Sequence, residues 1–190
     1  MRMSNVESGA GGLDIRAVVL TADKFEDTEL LVPYFRLLEE GARVDIAAPT
    51  TAEIGGEHGY RLEPDIAIDN VDPDAYDLLI IPGGFPDGAP ATMRQNTRAQ
   101  EIARTFMSAN KPVATICHGL SLLVSAKLVR GRHLTSYWHD GVPEEIVAAG
   151  GLWKDRAVVV DGNLVSARWP ADLPAFTFEM MQLVRSRIPV

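Results

Sequence analysis

The stretch Lys-Pro-Val-Ala-Thr-Ile-Cys-His-Gly-Leu, residues 111–120, decides how this chain is read. Val113, Ala114, Thr115 and Ile116 are apolar or β-branched and follow a proline, the pattern of a short buried strand. Beyond Gly119, the residues Leu120, Leu122, Leu123, Val124 and Ala126 give the apolar side of a helix. Cys117, the only cysteine of the chain, therefore stands where a strand turns sharply into a helix. Such a turn holds the sulfur at the carboxyl edge of a sheet, over a helix N-terminus whose partial positive charge favours thiolate. His118, the next residue, is a candidate base. A lone buried cysteine is more commonly a small hydrophobe. The strand-end setting, where open α/β sheets build their sites, is what marks Cys117 as a nucleophile on an elbow, with sulfur in place of oxygen.

Working outward, residues 15–20 (IRAVVL) and 44–48 read as buried strands, and residues 78–81 as a third. Residues 26–40 carry Leu30, Leu31, Tyr34, Leu37 and Leu38 at helical spacing, with Gly41 as the stop and Pro33 expected to kink the helix or to confine its regular part to the second half. The Gly-rich residues 50–61 predict a loop or short hairpin. Residues 96–109 predict a helix, 133–136 a strand and 143–149 a short helix. Asp161-Gly162-Asn163 predicts a hairpin between residues 157–160 and 164–167. A last helix is expected over about 174–185. Strands alternating with helices predict an α/β fold, mostly parallel, with helices on both faces.

At 190 residues the chain is expected to form a single domain over residues 14–190, preceded by a flexible tail of residues 1–13. A net charge of −8 argues against nucleic acid and against an anionic membrane as partners. One cysteine permits no internal disulfide, and residues 1–12 contain no apolar signal core, so a cytoplasmic location is expected. The four histidines show neither HxH nor HExxH spacing, and no G-x-G-x-x-G or Walker sequence occurs, so neither metal nor cofactor is expected.

In a parallel sheet the carboxyl ends of neighbouring strands share one edge, where ligands bind. Three of these ends carry chemistry: Glu26, Asp27 and Glu29 after the first strand, Gly83 and Gly84 after the third, and Cys117-His118 after the next. A carboxyl beside a thiol can hold or move its proton. Paired glycines let backbone N–H groups approach a developing oxyanion.

The segments LTADKFEDTELLVPYFRLLEEGARV, YDLLIIPGG, KPVATICHG, GRHLTSYW and VVVDGNLVSARWPADLPAF resemble the ThiJ/PfpI family. That family includes PfpI-type intracellular proteases and deglycases, and it is related to class I glutamine amidotransferase domains. The resemblance covers nearly all of residues 15–184 and implies a flavodoxin-like three-layer sandwich. It implies Cys117 as nucleophile, Glu29 in contact with its sulfur, Glu26 nearby, and amides near Gly84 and His118 as the oxyanion site. It also implies at least a homodimer.

One departure stands out. The segment PGGFPDGAPATMR, residues 82–94, leaves Ala91 where the resemblance implies a glutamate, supplied by a neighbouring subunit, that orients His118. Asp87, Asp140 or another subunit's carboxylate would have to replace it, and none is expected to do so well. His118 is accordingly expected to matter less than Glu29. Trp138 and His139 are expected as wall residues of the pocket, and His58 as a polar surface group.

Two functions follow from this reading. The first is a cofactor-independent cysteine enzyme acting on reactive carbonyls by glyoxalase- or deglycase-like chemistry, with peptides or amides as the alternative substrates. The second is a stress protein whose Cys117 senses oxidants without turnover.

Overall fold

The computed structural model describes residues 14–187, so the expected tail of residues 1–13 lies outside the described residues. The chain runs β1 (Arg16–Leu20), α1 (Asp27–Glu39), β2 (Arg43–Ala48), β3 (Ile54–Gly55), β4 (Arg61–Leu62) and β5 (Ile66–Ala67). It continues through β6 (Leu78–Ile81), α2 (Ala89–Gln95), α3 (Thr97–Ser108), β7 (Val113–Ile116) and α4 (Leu120–Ser125). It ends with β8 (His133–Leu134), α5 (Val142–Ala148), β9 (Leu152–Trp153), β10 (Val158–Asp161), β11 (Leu164–Ala167) and α6 (Leu173–Arg187).

Seven strands form the central sheet in the order β10-β11-β7-β6-β1-β2-β5. Every pairing in it is parallel except β10 with β11, the Gly162 hairpin. β1, β6 and β7 are almost wholly buried, which is why they read as continuous apolar runs and not as alternating ones. The chain leaves β1 through α1 toward β2 on one side, and leaves β6 through α3 toward β7 on the other. Right-handed crossovers in opposite directions put these helices on opposite faces. α6 returns to pack on α1, β10 and β11, while α2, α3 and α4 pack on one another. The result is a three-layer α/β sandwich.

Two local expectations are corrected. α1 is continuous through Pro33. Pro33 removes one ladder hydrogen bond, at a cost of about 3 kcal/mol in a helix interior. Burial of Leu30, Tyr34 and Leu37, at roughly 1.5–3 kcal/mol each, outweighs it. The 133–136 strand shrinks to β8, which pairs with β9 in a small separate sheet. Within residues 82–94, to which the sequence reading assigned no element, the chain forms α2. The loop-or-hairpin segment is a hairpin, β3 with β4.

Candidate active site

Residues 24–26 leave β1 and thread between two glycine-containing segments. Lys24 N–H donates to Gly55 O at 2.7 Å, Glu57 N–H to Phe25 O at 2.8 Å, and Glu26 N–H to Gly83 O at 3.2 Å. Glycine is required where these backbones meet. A Cβ on Gly84, whose φ is +146°, would stand 2.4 Å from Lys24 O. This threading delivers the start of α1 to the ends of β6 and β7.

At the start of α1, Glu26 is the N-cap, its Oε2 accepting from Glu29 N–H at 2.6 Å and from Thr28 Oγ1 at 2.7 Å. The Asp27 carboxylate reaches outward and accepts from His58 N–H at 2.9 Å and Tyr60 N–H at 2.8 Å, tying the β3–β4 hairpin to the helix. Glu29, one turn along, points inward and is fully buried. Its Oε2 accepts from Gly83 N–H at 2.8 Å, while its Oε1 meets no nitrogen or oxygen partner and the carboxyl interacts with the Cys117 thiol.

Cys117 holds φ at +59°, a left-handed backbone that a residue with a side chain adopts only under constraint. The constraint is packing behind the elbow, since a Cβ on Gly119 would lie 2.5 Å from Ile81 O and 2.7 Å from Pro82 O. In front, the position a Gly83 Cβ would take is 2.7 Å from both Cys117 Cβ and Glu29 Oε2. The thiol and the carboxyl therefore share one compartment.

Electrostatics in that compartment differ from the expectation drawn from a helix N-terminus. Burial, then the neighbouring Glu26, push the Glu29 carboxyl up to about 8, with the Gly83 N–H opposing. Burial and the Glu29 charge push the Cys117 thiol up as well, while the backbone N–H groups of His118 and Gly84 favour its thiolate. Desolvation thus outweighs the dipole of α4, a helix of only 6 residues. At neutral pH Glu29 carries a proton.

His118 is buried, with Nδ1 3.3 Å from Cys117 Sγ and Nε2 3.2 Å from Asp140 Oδ2. Burial lowers its pKa and the Asp140 carboxylate raises it, with a net lowering. Asp87, Asp140 and a neighbouring subunit's carboxylate were each expected to serve the His118 ring poorly; Asp140, at 3.2 Å, counts against that expectation. Asp140 reaches the ring because the segment after β8 folds back over the elbow, bringing the Tyr137 ring centroid to 4.7 Å from that of His118. Asp87 instead pairs with Lys24 at the surface, at 3.0 Å. Ala91 lies in α2.

These groups open on a pocket of about 330 Å³. Glu26, Glu29, Glu57, His58 and Asp140 supply its polar lining, and Phe85, Pro86, Tyr137, Trp169 and Pro170 its apolar walls, with Gly84, Cys117 and His118 at the base. Trp138 and His139 do not line it. Trp138 packs edge-on against Trp169 at 5.1 Å, one layer behind the wall. His58, expected at the surface, is exposed but stands at the rim, with Nε2 3.5 Å from Glu26 Oε1. Tyr137, Trp169 and Glu57 were not singled out by sequence. The run Tyr-Trp-His-Asp signalled the segment, but not which of its members turn inward.

The DJ-1/PfpI family model matches residues 15–183. The deglycase PfpI of Pyrococcus furiosus is 46% identical over 171 residues, spanning 90% of this chain and 100% of that protein. Among solved structures, a two-domain Anabaena variabilis protein with DJ-1/ThiJ/PfpI-like and ferritin-like domains has a TM-score of 0.85 at 27% identity. The alignment covers 93% of this chain and 52% of that one, so this chain spans about half the two-domain protein. Drosophila melanogaster DJ-1beta shares the fold at a TM-score of 0.81 and 23% identity, with 90% of this chain and 91% of that chain covered. With its sheet order, its strained cysteine elbow and the family match in agreement, the chain belongs to the DJ-1/PfpI family.

Proposed function

We propose that this protein is a cofactor-independent cysteine enzyme that attacks reactive carbonyl carbons, such as methylglyoxal or its adducts on amines and thiols, in a protective role. The carrying observation is a buried carboxyl, Glu29, protonated at neutral pH and sharing a compartment with the Cys117 thiol at the base of an open pocket. A neutral acid beside a nucleophile is what addition to a carbonyl requires. His118 Nδ1 takes the thiol proton, Sγ bonds to the carbonyl carbon, and the oxygen gathers negative charge within reach of the Gly84 and His118 N–H groups. Glu29 then moves a proton to or from the resulting hemithioacetal. The pocket volume suits a small carbonyl or a single modified side chain. The deglycase names of relatives at 46% identity support the same chemistry.

A second reading, a cysteine peptidase or amidase, is favoured by the Asp140–His118 contact at 3.2 Å, because amide cleavage needs an oriented acid for the leaving amine. One panel separates the two: purified protein against methylglyoxal, glycated amino acids and fluorogenic peptides. Turnover of the carbonyl substrates, lost in Cys117→Ala, is expected. Robust peptide hydrolysis without carbonyl turnover would replace the first reading by the second.

A further inference from the structure

We propose that Asp140 is the positioning residue of His118, holding its imidazole from within the same chain in the tautomer that presents a bare Nδ1 to the Cys117 thiol. The inference rests on the reading of Cys117 as nucleophile and His118 as its base.

The geometry is a three-member line. Asp140 Oδ2 lies 3.2 Å from Nε2, and Nδ1 of the same ring lies 3.3 Å from Sγ. A carboxylate has only acceptors, so the proton between it and the ring belongs to Nε2. The neutral ring then has its lone pair on Nδ1, facing the thiol. The Gly84 backbone is a second acceptor at this ring, so without Asp140 nothing charged holds the proton on Nε2, and an Nδ1–H can face the thiol as a donor.

The chain is shaped to make this contact. Asp140 and Gly141 both adopt left-handed backbones, φ +60° and +79°, immediately before α5. Left-handed conformation is uncommon outside glycine, and where found it points to a constraint worth its cost. Here the turn folds the 137–140 segment over the elbow, with the Tyr137 ring tilted against that of His118 and Asp140 at its Nε2 edge. The Asp140 side chain is 50% exposed while His118 is buried. The carboxylate thus stays in contact with solvent while reaching a desolvated ring.

The step is proton-balanced. The Cys117 proton passes to Nδ1 as Sγ bonds to carbon, leaving an imidazolium with protons on both nitrogens and Asp140 still ionised beside Nε2. The other titratable groups around this pocket, among the described residues, are Glu26, Glu29, Glu57, His58 and Tyr137. Substitution of Asp140 leaves all five in place.

The test uses the full chain and needs no turnover. Cys117 is the only cysteine, so its alkylation by iodoacetamide reports one thiol. The rate is followed against pH for wild type, Asp140→Asn and Asp140→Ala. In parallel, long-range ¹H–¹⁵N correlation spectra report the His118 tautomer and its titration. We expect Asp140→Ala to slow alkylation near pH 7 about tenfold or more, to lower the His118 pKa and to mix the tautomers. Asn tolerates the left-handed backbone and its amide oxygen still accepts from Nε2, so Asp140→Asn should keep the tautomer while shifting the pH profile part of the way. A wild-type pH profile and tautomer in Asp140→Ala would overturn the proposal. Should Asp140→Ala fail to fold, a wild-type pH profile in Asp140→Asn would overturn it equally. Absence of carbonyl turnover by wild type, with these shifts present, would defeat the proposed function and leave the role of Asp140 standing.

Discussion

Gly83 donates its backbone N–H to Glu29 Oε2 at 2.8 Å, joining the end of β6 to the first turn of α1 across 54 residues of sequence. That bond occupies one carboxyl oxygen and leaves the other, Oε1, without a nitrogen or oxygen partner, so that the carboxyl turns to the Cys117 thiol. The carboxyl is held by backbone at one oxygen and left free for chemistry at the other.

Glu29→Gln keeps the size of this side chain and removes its titration. General acid–base groups commonly contribute 10²- to 10⁴-fold, so carbonyl turnover should fall by at least about 10². Stability should change shape with pH. The folded-state value of about 8 lies above the ordinary 4.5, so the native state binds this proton more tightly than the unfolded chain. The stability gained from that proton is full below about 4.5 and is lost as the pH rises to about 8. Urea midpoints of wild type should drop between pH 5 and pH 8 by more than those of Glu29→Gln. Parallel curves would show that Glu29 titrates as an ordinary carboxyl.

Gly83→Ala should inactivate without removing any functional group. The new methyl would stand 2.7 Å from Cys117 Cβ and from Glu29 Oε2, so the compartment must widen. Overpacking of this kind costs about 1–3 kcal/mol, to be read by chemical denaturation. Unchanged turnover in this variant would mean that the spacing of thiol and carboxyl is not critical.

Asp27→Ala should leave two backbone donors, His58 N–H and Tyr60 N–H, without their carboxylate. Orphaned donors cost about 1–3 kcal/mol each where they stay dry. Because the hairpin carries Glu57 and His58 to the pocket, KM should rise more than kcat falls. Asp27→Asn, which keeps one acceptor oxygen, should show about half the effect on stability. A kcat effect with KM unchanged would show that the hairpin is not part of the substrate wall.

Cys117→Ala should abolish turnover while changing stability by no more than about 1 kcal/mol, because only the sulfur is removed and the left-handed backbone is retained. Residual turnover would remove the nucleophile assignment.

Much of the architecture was already legible in local pattern. The strands over 78–81 and 113–116 are bounded by Pro, Gly and Cys-His signals and form with those limits. The Asp161-Gly162-Asn163 hairpin forms because Gly162 supplies the left-handed φ of +60°. That Glu29, Gly83 and Cys117 meet also followed from sequence, since each lies in the segment that follows a sheet strand, and β1, β6 and β7 are neighbours.

What sequence by itself determined was thus the set of elements and the edge where the chemistry gathers, because periodicity and turn chemistry act over a few residues. Tertiary structure alone decided which side chains face the pocket and which partner the His118 ring takes. Tyr137 and Trp138 are adjacent in sequence, yet one lines the cavity and the other packs behind Trp169. Asp140 lies 22 residues from His118, on a segment whose course is set by two left-handed residues and by packing over the elbow. No local pattern encodes that return, because the free energy favouring it comes from contacts made only once the sheet has formed.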